Sequence, residues 1–218
     1  RRKDRLEELA CDLDHMAKTI PLDLTQKADM EHLRALLRKE HPAVRMLINC
    51  SGYGIMGQFS EIDSREQSGM IDLNCRALTE ITHACLPYMK KNSRIIQLAS
   101  SAAFLPQPGF AVYAASKSYV LSFSRALSEE LRSRKIYVTA VCPGPVQTEF
   151  FDRAEKYAAT LAIKKYTMVT PQSVVRAALT ASARKCPLST YSPLIKAFRL
   201  LAKVIPHTLI LKAMRLVK

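Results

Sequence analysis

The chain has 218 residues, nearly half of them apolar and about a quarter charged, which suffices for a buried core and is ordinary for a globular protein. No apolar run approaches the ~20 residues that span a bilayer, and the opening RRKDRLEELA has neither the apolar core nor the cleavage site of a signal peptide. The net charge of +14 is lopsided, since no Asp or Glu follows Glu155 while twelve Lys and Arg do, and no recognition motif beside that charge points to nucleic acid.

Residues 1–12 read as a helix already under way, with Leu6, Leu9 and Leu13 on one side and no start signal or strand before it. Ala17 to Leu24 reads as a short strand ending at Asp23 and Thr25, which can cap a helix over about 27–39. Leu33, Leu36 and Leu37 face inward from that helix. Arg45 to Ser51 is a buried strand that opens into a tight loop at Gly52, Tyr53 and Gly54. A long helix from about Asp63 to Met89 follows, broken before its second half.

Ser93 to Ser100 is another strand. A helix begins near Tyr113 and runs to about Arg134, with Val120, Leu121, Phe123, Leu127 and Leu131 apolar. Lys135 to Cys142 is a fourth strand, stopped by Pro143, Gly144 and Pro145. Residues 149–168 form a basic helical stretch. Thr170 and Pro171, as N-cap and first helical residue, start a helix through Ala181. Pro187 to Tyr191 is a last short strand, and 193–218 is two amphipathic pieces parted at Pro206.

Strands alternating with helices of this length indicate an α/β domain with a doubly wound parallel sheet, a single domain over 1–218. Ligands bind such sheets outside the carboxyl ends of the strands. Those ends carry Asp23, then Asn49 to Gly52, then Ser100, then Pro143 and Gly144, so the polar and glycine signals share one edge. Tyr113 and Lys117 stand four apart and stack on one helix face beside that edge. An ammonium beside a phenol favours the phenolate and lowers a pKa of about 10, which would make Tyr113 a usable proton donor and acceptor.

Other residue types have plainer readings. Six cysteines without a CxxC pair read as reduced core residues of a cytoplasmic protein, Cys50 included. His15, His32, His41 and His207 are scattered and suggest no metal site, and His83 reads as a core or surface histidine. Met16, Met30, Met46, Met56, Met70 and Met89 look like core filler. Tyr53, Phe104, Phe110 and Phe150 lie in loops around the site, as core or as an apolar pocket wall. The basic, apolar-interleaved tail suits a solvated face or an anionic surface, a phosphate-bearing ligand, a lipid headgroup or an acidic carrier protein.

Together these residues resemble the short-chain dehydrogenase/reductase family in its compact, Rossmann-like form. YAASK at 113–117 fits the family's YxxxK, with Ser100 thirteen residues upstream; Ser101 falls one short of that spacing. NCSG at 49–52 stands where the family has NNAG, Asn74 where its fourth catalytic residue lies, and PGPVQT at 143–148 fits its PG motif and following Thr. The resemblance implies hydride transfer between NAD(P)H and a lipophilic carbonyl or secondary alcohol, a ketoacyl- or hydroxysteroid-like substrate of lipid metabolism. Tyr113 would be the acid/base, Lys117 would lower its pKa and hold the nicotinamide ribose, Ser100 would bond the substrate oxygen, and Asn74 would hold a water feeding protons towards Lys117.

Cofactor contacts would come from Asp23 to adenine and from Asn49, Ser51, Gly52, Tyr113, Lys117, Pro143, Gly144, Val146 and Thr148. Thr148 can also cap the helix after it. Arg1 and Arg2 would favour the 2′-phosphate, hence NADP over NAD. The family's TGxxxGxG turn, which seats pyrophosphate at a helix N-terminus, has no counterpart here, nor has the first strand-helix unit around it, and a truncated record is the expectation. A homo-oligomer, dimer or tetramer, through the helices of Asn74 and Tyr113 is implied. Peripheral membrane contact through 193–218 is a further expectation. The rival reading is a non-catalytic remnant that binds a partner or an anionic lipid surface through that tail.

Overall fold

The computed structural model describes residues 2–14, 16–159 and 168–216, the side chains of 214–216 excepted. The chain divides into two compact units, Arg1–Pro42 and Ala43–Lys218.

The first unit holds α1 (Lys3–Asp12) and α2 (Lys27–Glu40). Met30 of α2 is fully buried and Leu33, Leu36 and Leu37 are half-buried, whereas Leu9 and Leu13, expected with Leu6 on one side of the first helix, are exposed. The strand expected over Ala17–Leu24 does not form. A strand needs its backbone groups paired in a ladder, and residues 17–24 are assigned to no strand. The helix start is also built differently from expectation. Gln26 is the N-cap and makes no side-chain bond to the helix. Instead Asp23 Oδ1 accepts from Thr25 N at 3.0 Å and Thr25 Oγ1 at 2.7 Å, and Asp29 Oδ2 accepts from Asp23 N at 2.7 Å.

In the second unit, β1 (Val44–Asn49), β2 (Met89–Leu98), β3 (Tyr137–Val141) and β4 (Leu188–Ser189) form one sheet in that order, all pairs parallel. Parallel neighbours need long crossovers, and helices supply them: α3 (Ser64–Ile71) and α4 (Leu78–Cys85) between β1 and β2, α5 (Ala111–Glu130) between β2 and β3, and α6 (Phe150–Ala154) and α7 (Pro171–Ala183) between β3 and β4. Strand alternation sends successive residues to opposite faces. Ile95 and Val138 therefore pack on Leu127 of α5 and on Leu131 just after it, while Ile96 and Val141, on the other face, pack on Val174 and Ala178 of α7. Helices on both faces of a parallel sheet are the α/β architecture read from the sequence. On β1, Met46 and Ile48 are exposed instead of buried.

The break expected in the long helix after β1 is a π-helical segment, Asp72–Ala77, that joins α3 to α4 without ending the helix. Asp63 caps its start by accepting from Arg65 N at 2.7 Å. Thr170 precedes Pro171 as expected, but its hydroxyl pairs with Ser173 Oγ at 2.9 Å in place of capping the backbone. Of the basic helical stretch over 149–168, α6 is helical, and residues 160–167 lie outside the described ones. The tail is two helices, α8 (Pro193–Val204) and α9 (His207–Leu216), parted at Pro206 as expected.

Candidate active site

The carboxyl ends of β1, β2 and β3 open into the loops at Cys50–Gly52, Ala99–Ser101 and Cys142–Gly144. Ser101 N donates to Pro143 O at 2.8 Å and ties two of these loops together. Beside them lies a cavity of ≈ 570 Å³, lined mainly by apolar side chains, a volume ordinary for a small-molecule site. Ser100, Ser101, Tyr113, Lys117, Gly52 and Thr148 stand in its wall.

Tyr113 and Lys117 lie one turn apart on α5, as their spacing predicts, with Lys117 Nζ 5.7 Å from the phenol ring centroid. Phe110 stacks on the Tyr113 ring at 4.3 Å between centroids and Phe150 leans on it at 5.4 Å. Two aromatic neighbours leave the phenol little rotamer freedom. Gly54 backs the pair: a Cβ there would come within 2.7 Å of Tyr113 and 2.8 Å of Phe110. Ser100 stands beside the phenol and draws its pKa down, and its Oγ accepts from Ala102 N at 3.1 Å, which caps a short 3-10 turn over Ser101–Phe104. Both serines of the motif line the cavity, and Ser100 is the one that draws the phenol pKa down.

Lys117 is 5% exposed, and Nζ donates to Leu98 O at 2.7 Å. An ammonium has three N–H donors, so two remain for a group in the cavity. Burial lowers the amine to about 8, against which nearby thiols Cys75, Cys142 and Cys50 pull upward. Those thiols are themselves raised by burial, Cys142 to about 12. The expectation that Lys117 lowers the Tyr113 pKa is corrected here. Desolvation dominates and pushes the phenol up to about 12, with the Ser100 hydrogen bond the opposing influence. At neutral pH the phenol therefore keeps its proton and the amine carries its charge.

Asn74, on the π segment, is buried behind this wall. Its Oδ1 accepts from Tyr53 N at 3.0 Å, and its Nδ2 donates to Tyr53 O at 2.9 Å and to Ser116 Oγ at 3.0 Å. A Cβ on Gly52 would meet Asn74 Oδ1 at 2.8 Å and Lys117 Nζ at 3.3 Å, so both groups converge on that glycine. The amide's bonds fix the loop after β1.

Other expected contacts divide. Pro143, Gly144 and Val146 line the cavity, and Val146 bridges to Val169. Thr148 does so too, and its Oγ1 accepts from Phe150 N at 3.4 Å, although the N-cap of the helix that follows is Glu149 and not Thr148. Asn49 does not reach the cavity, because its Nδ2 is spent on Gln97 Oε1 at 2.8 Å and Thr82 Oγ1 at 3.0 Å inside the fold. Ser51 is exposed and outside the lining. Arg2 and Asp23 belong to the first unit, and Arg1 lies outside the described residues.

Phe110 and Phe150 line the cavity, whereas Tyr53 and Phe104 pack elsewhere. Cys50 lines it as well, contrary to its reading as a core thiol. Ile195 and Phe198 of α8 complete the wall and were not foreseen, although their spacing of three on an amphipathic helix was the available signal. Gly144 admits Ile195, whose Cδ1 would lie 2.9 Å from any Cβ placed there.

The family model described as short chain dehydrogenase matches residues 1–158. The chain belongs to that family. Sulfoacetaldehyde reductase 2 of Chromohalobacter salexigens is 33% identical over 156 residues, covering 69% of this chain and 62% of that protein. An uncharacterized oxidoreductase of Staphylococcus epidermidis is 29% identical over 150 residues, covering 68% and 65%. The match thus spans less than two thirds of the length of these curated relatives. Among solved structures, a short-chain dehydrogenase from Sphingobium yanoikuyae in complex with NADPH superposes with a TM-score of 0.77 at 28% identity, covering 94% of this chain and 84% of that one. The fold described above is therefore that of the family's Rossmann-like domain.

Proposed function

We propose that the protein is an NADP-dependent reductase or dehydrogenase acting on a lipophilic carbonyl or secondary alcohol, with NAD as the alternative cofactor. One observation carries this reading: the Ser100 hydroxyl, the Tyr113 phenol and two uncommitted Lys117 N–H groups meet in the wall of one apolar cavity. The buried ammonium, with donors left over, fits a ribose diol, and a nicotinamide bound beside it would supply the hydride. In reduction, Tyr113 Oη gives its proton to the carbonyl oxygen while Ser100 Oγ donates a hydrogen bond to the same atom, stabilising charge as it develops. Lys117 holds positive charge close to the phenolate so formed, and Asn74 positions the Gly52–Tyr53 loop against Lys117. A remnant without catalysis has no use for a desolvated amine, whose retention costs stability.

The resemblance assigns Asp23 to adenine and Arg1 and Arg2 to a 2′-phosphate, and NADPH in the Sphingobium relative supports the same preference. All six cysteines are free, in keeping with a reducing, cytoplasmic setting. The exposed outer side of α3 and α5, with Ile71 and Tyr119 in view, offers a surface for the proposed homo-oligomer. Peripheral contact with an anionic surface through the tail completes the reading.

Tyr113→Phe tests the reaction. In the whole protein, NADPH oxidation by a long-chain ketone should fall by about 10²–10⁴ in kcat, with the circular dichroism spectrum unchanged. Turnover close to that of the parent protein would remove Tyr113 from the mechanism.

A further inference from the structure

Helix α8 has three stripes where an ordinary surface helix has two. Ile195, Phe198 and Ala202 face the fold: Ile195 and Ala202 are buried, Ile195 and Phe198 line the cavity, and the Phe198 ring lies 6.3 Å from that of Phe104. Lys196, Arg199 and Lys203 follow one another at helical spacing along the next side. The third stripe is apolar again and uncovered, with Leu194 57%, Leu200 64%, Leu201 50% and Val204 73% exposed. Helix α9 continues the theme with exposed Leu209 and Lys212. The inner stripe already meets the fold's need for burial, so the outer one serves something else.

Charge decides between occupants. Every charged residue after Glu155 is basic. A second copy docked through the same patch would bring cation against cation. Leucines flanked along their length by lysines match the boundary between headgroups and acyl chains, where one stripe inserts and the next meets phosphate. No described helix is long and apolar enough to cross a membrane, so the contact is along the surface.

We infer that α8 and α9 dock on an anionic lipid surface, with Leu194, Leu200, Leu201 and Val204 entering the acyl boundary and Lys196 and Lys203 at the headgroups. The opposite stripe of α8 lines the cavity, so docking sets that cavity one helix diameter, ~10 Å, from the bilayer. A lipophilic carbonyl would then have its reservoir beside the site; that consequence rests on the proposed reductase reading, whereas the docking does not.

The test is co-sedimentation of the whole chain with sucrose-loaded vesicles of phosphatidylcholine alone or mixed with phosphatidylserine, without cofactor or substrate, so that its outcome is separate from any failure of catalysis. Binding should require phosphatidylserine and weaken as salt is raised. The double substitution Leu200→Glu, Val204→Glu should lower partitioning by about tenfold or more, with circular dichroism and the elution volume of the free protein unchanged. Equal binding to both vesicle types, binding to neither, or an unaltered double variant would each overturn the proposal. Absent vesicle binding together with an oligomer that the double variant splits would assign the stripe to contact between copies. The comparison of the two lipid compositions decides the matter even if the variant fails to fold.

Discussion

An ammonium enclosed as Lys117 is held against its own solvation, and this leaves a signature that does not depend on catalysis. In an unfolded chain the amine titrates near 10.5, in the fold at about 8. Between those values the unfolded chain keeps a proton that the folded one has lost, so stability rises with pH across that window. Tyr113 has the opposite sense: its phenol moves from 10 to about 12, so the fold keeps the proton longer and stability falls above about pH 10. The two windows barely overlap and can be read separately. From about pH 7.5 to about pH 9.5, the free energy of unfolding of the parent protein should climb by about 2 kcal/mol relative to Lys117→Met. Urea titrations at the two pH values measure this, and parallel behaviour of the two proteins would show that the amine is well solvated. Ser100→Ala probes the neighbouring group. It removes the hydrogen bond that opposes the rise in the phenol pKa, so kcat should fall by about 10²-fold, as for an oxyanion donor, measured by NADPH oxidation.

At the scale of elements, the π segment Asp72–Ala77 and the α6 region do the positioning. One extra residue in the turn brings Asn74 inward, where its amide grips both backbone groups of Tyr53. Asn74→Ala would remove both amide bonds to the part-buried backbone of Tyr53, at a cost of about 1–2 kcal/mol, measurable by urea denaturation; a cost near zero would mean that the loop holds itself. The wall carrying Phe150 is tethered in turn to α3. Tyr157 Oη donates to Glu66 Oε2 at 2.8 Å, Lys156 Nζ stands 3.1 Å from Glu66 Oε1, and the Arg153 guanidinium lies 3.5 Å over the Tyr53 ring. Tyr157 and Lys156 hold the Glu66 carboxyl below its usual range against the opposing effect of burial. Tyr157→Phe should therefore loosen that wall and raise KM several-fold with kcat nearly unchanged, since the bond bears on binding and not on the reacting atoms. Steady-state kinetics at saturating cofactor separates the two constants. None of this tethering could be read from the sequence, because DLNCRA carries no mark that distinguishes a π turn from an α turn, and Glu66 and Tyr157 are ninety-one residues apart.

Over the whole molecule, what was legible followed from periodicity and what was not followed from burial. The strands around Ile48, Ile96 and Val138 are short apolar runs stopped by Gly, Ser or Pro, and all three were read to within a few residues. The stops after those three strands share one edge, because a parallel sheet sends its carboxyl ends to one side, whereas Asp23, expected there too, ends no strand. Residues 17–24 misled because a strand-like composition does not by itself build a ladder. Asn49 misled because a residue type does not say which way an amide turns, and here it faces Gln97 and Thr82. The direction of the Tyr113 shift was misread because sequence displays the neighbouring cation but not the lost solvent. Burial also governs what the cavity will accept. Lys117 is the one charged side chain in its described lining, and its donors serve the ribose in the proposed reaction. A carbonyl substrate bearing a carboxylate would thus enter without a partner for its charge, and an unpaired anion in an apolar wall costs several kcal/mol. A long-chain ketone instead gains about 0.8 kcal/mol for each methylene buried against Met56, Phe110, Phe150 and Phe198. The ratio of kcat/KM for a long-chain ketone over a short keto acid should exceed about 10², and substituting Phe198→Ala should lower it by shrinking the apolar contact. Equal use of both substrates would mean that the cavity takes a carboxylate without penalty and that its apolar wall does not set the preference.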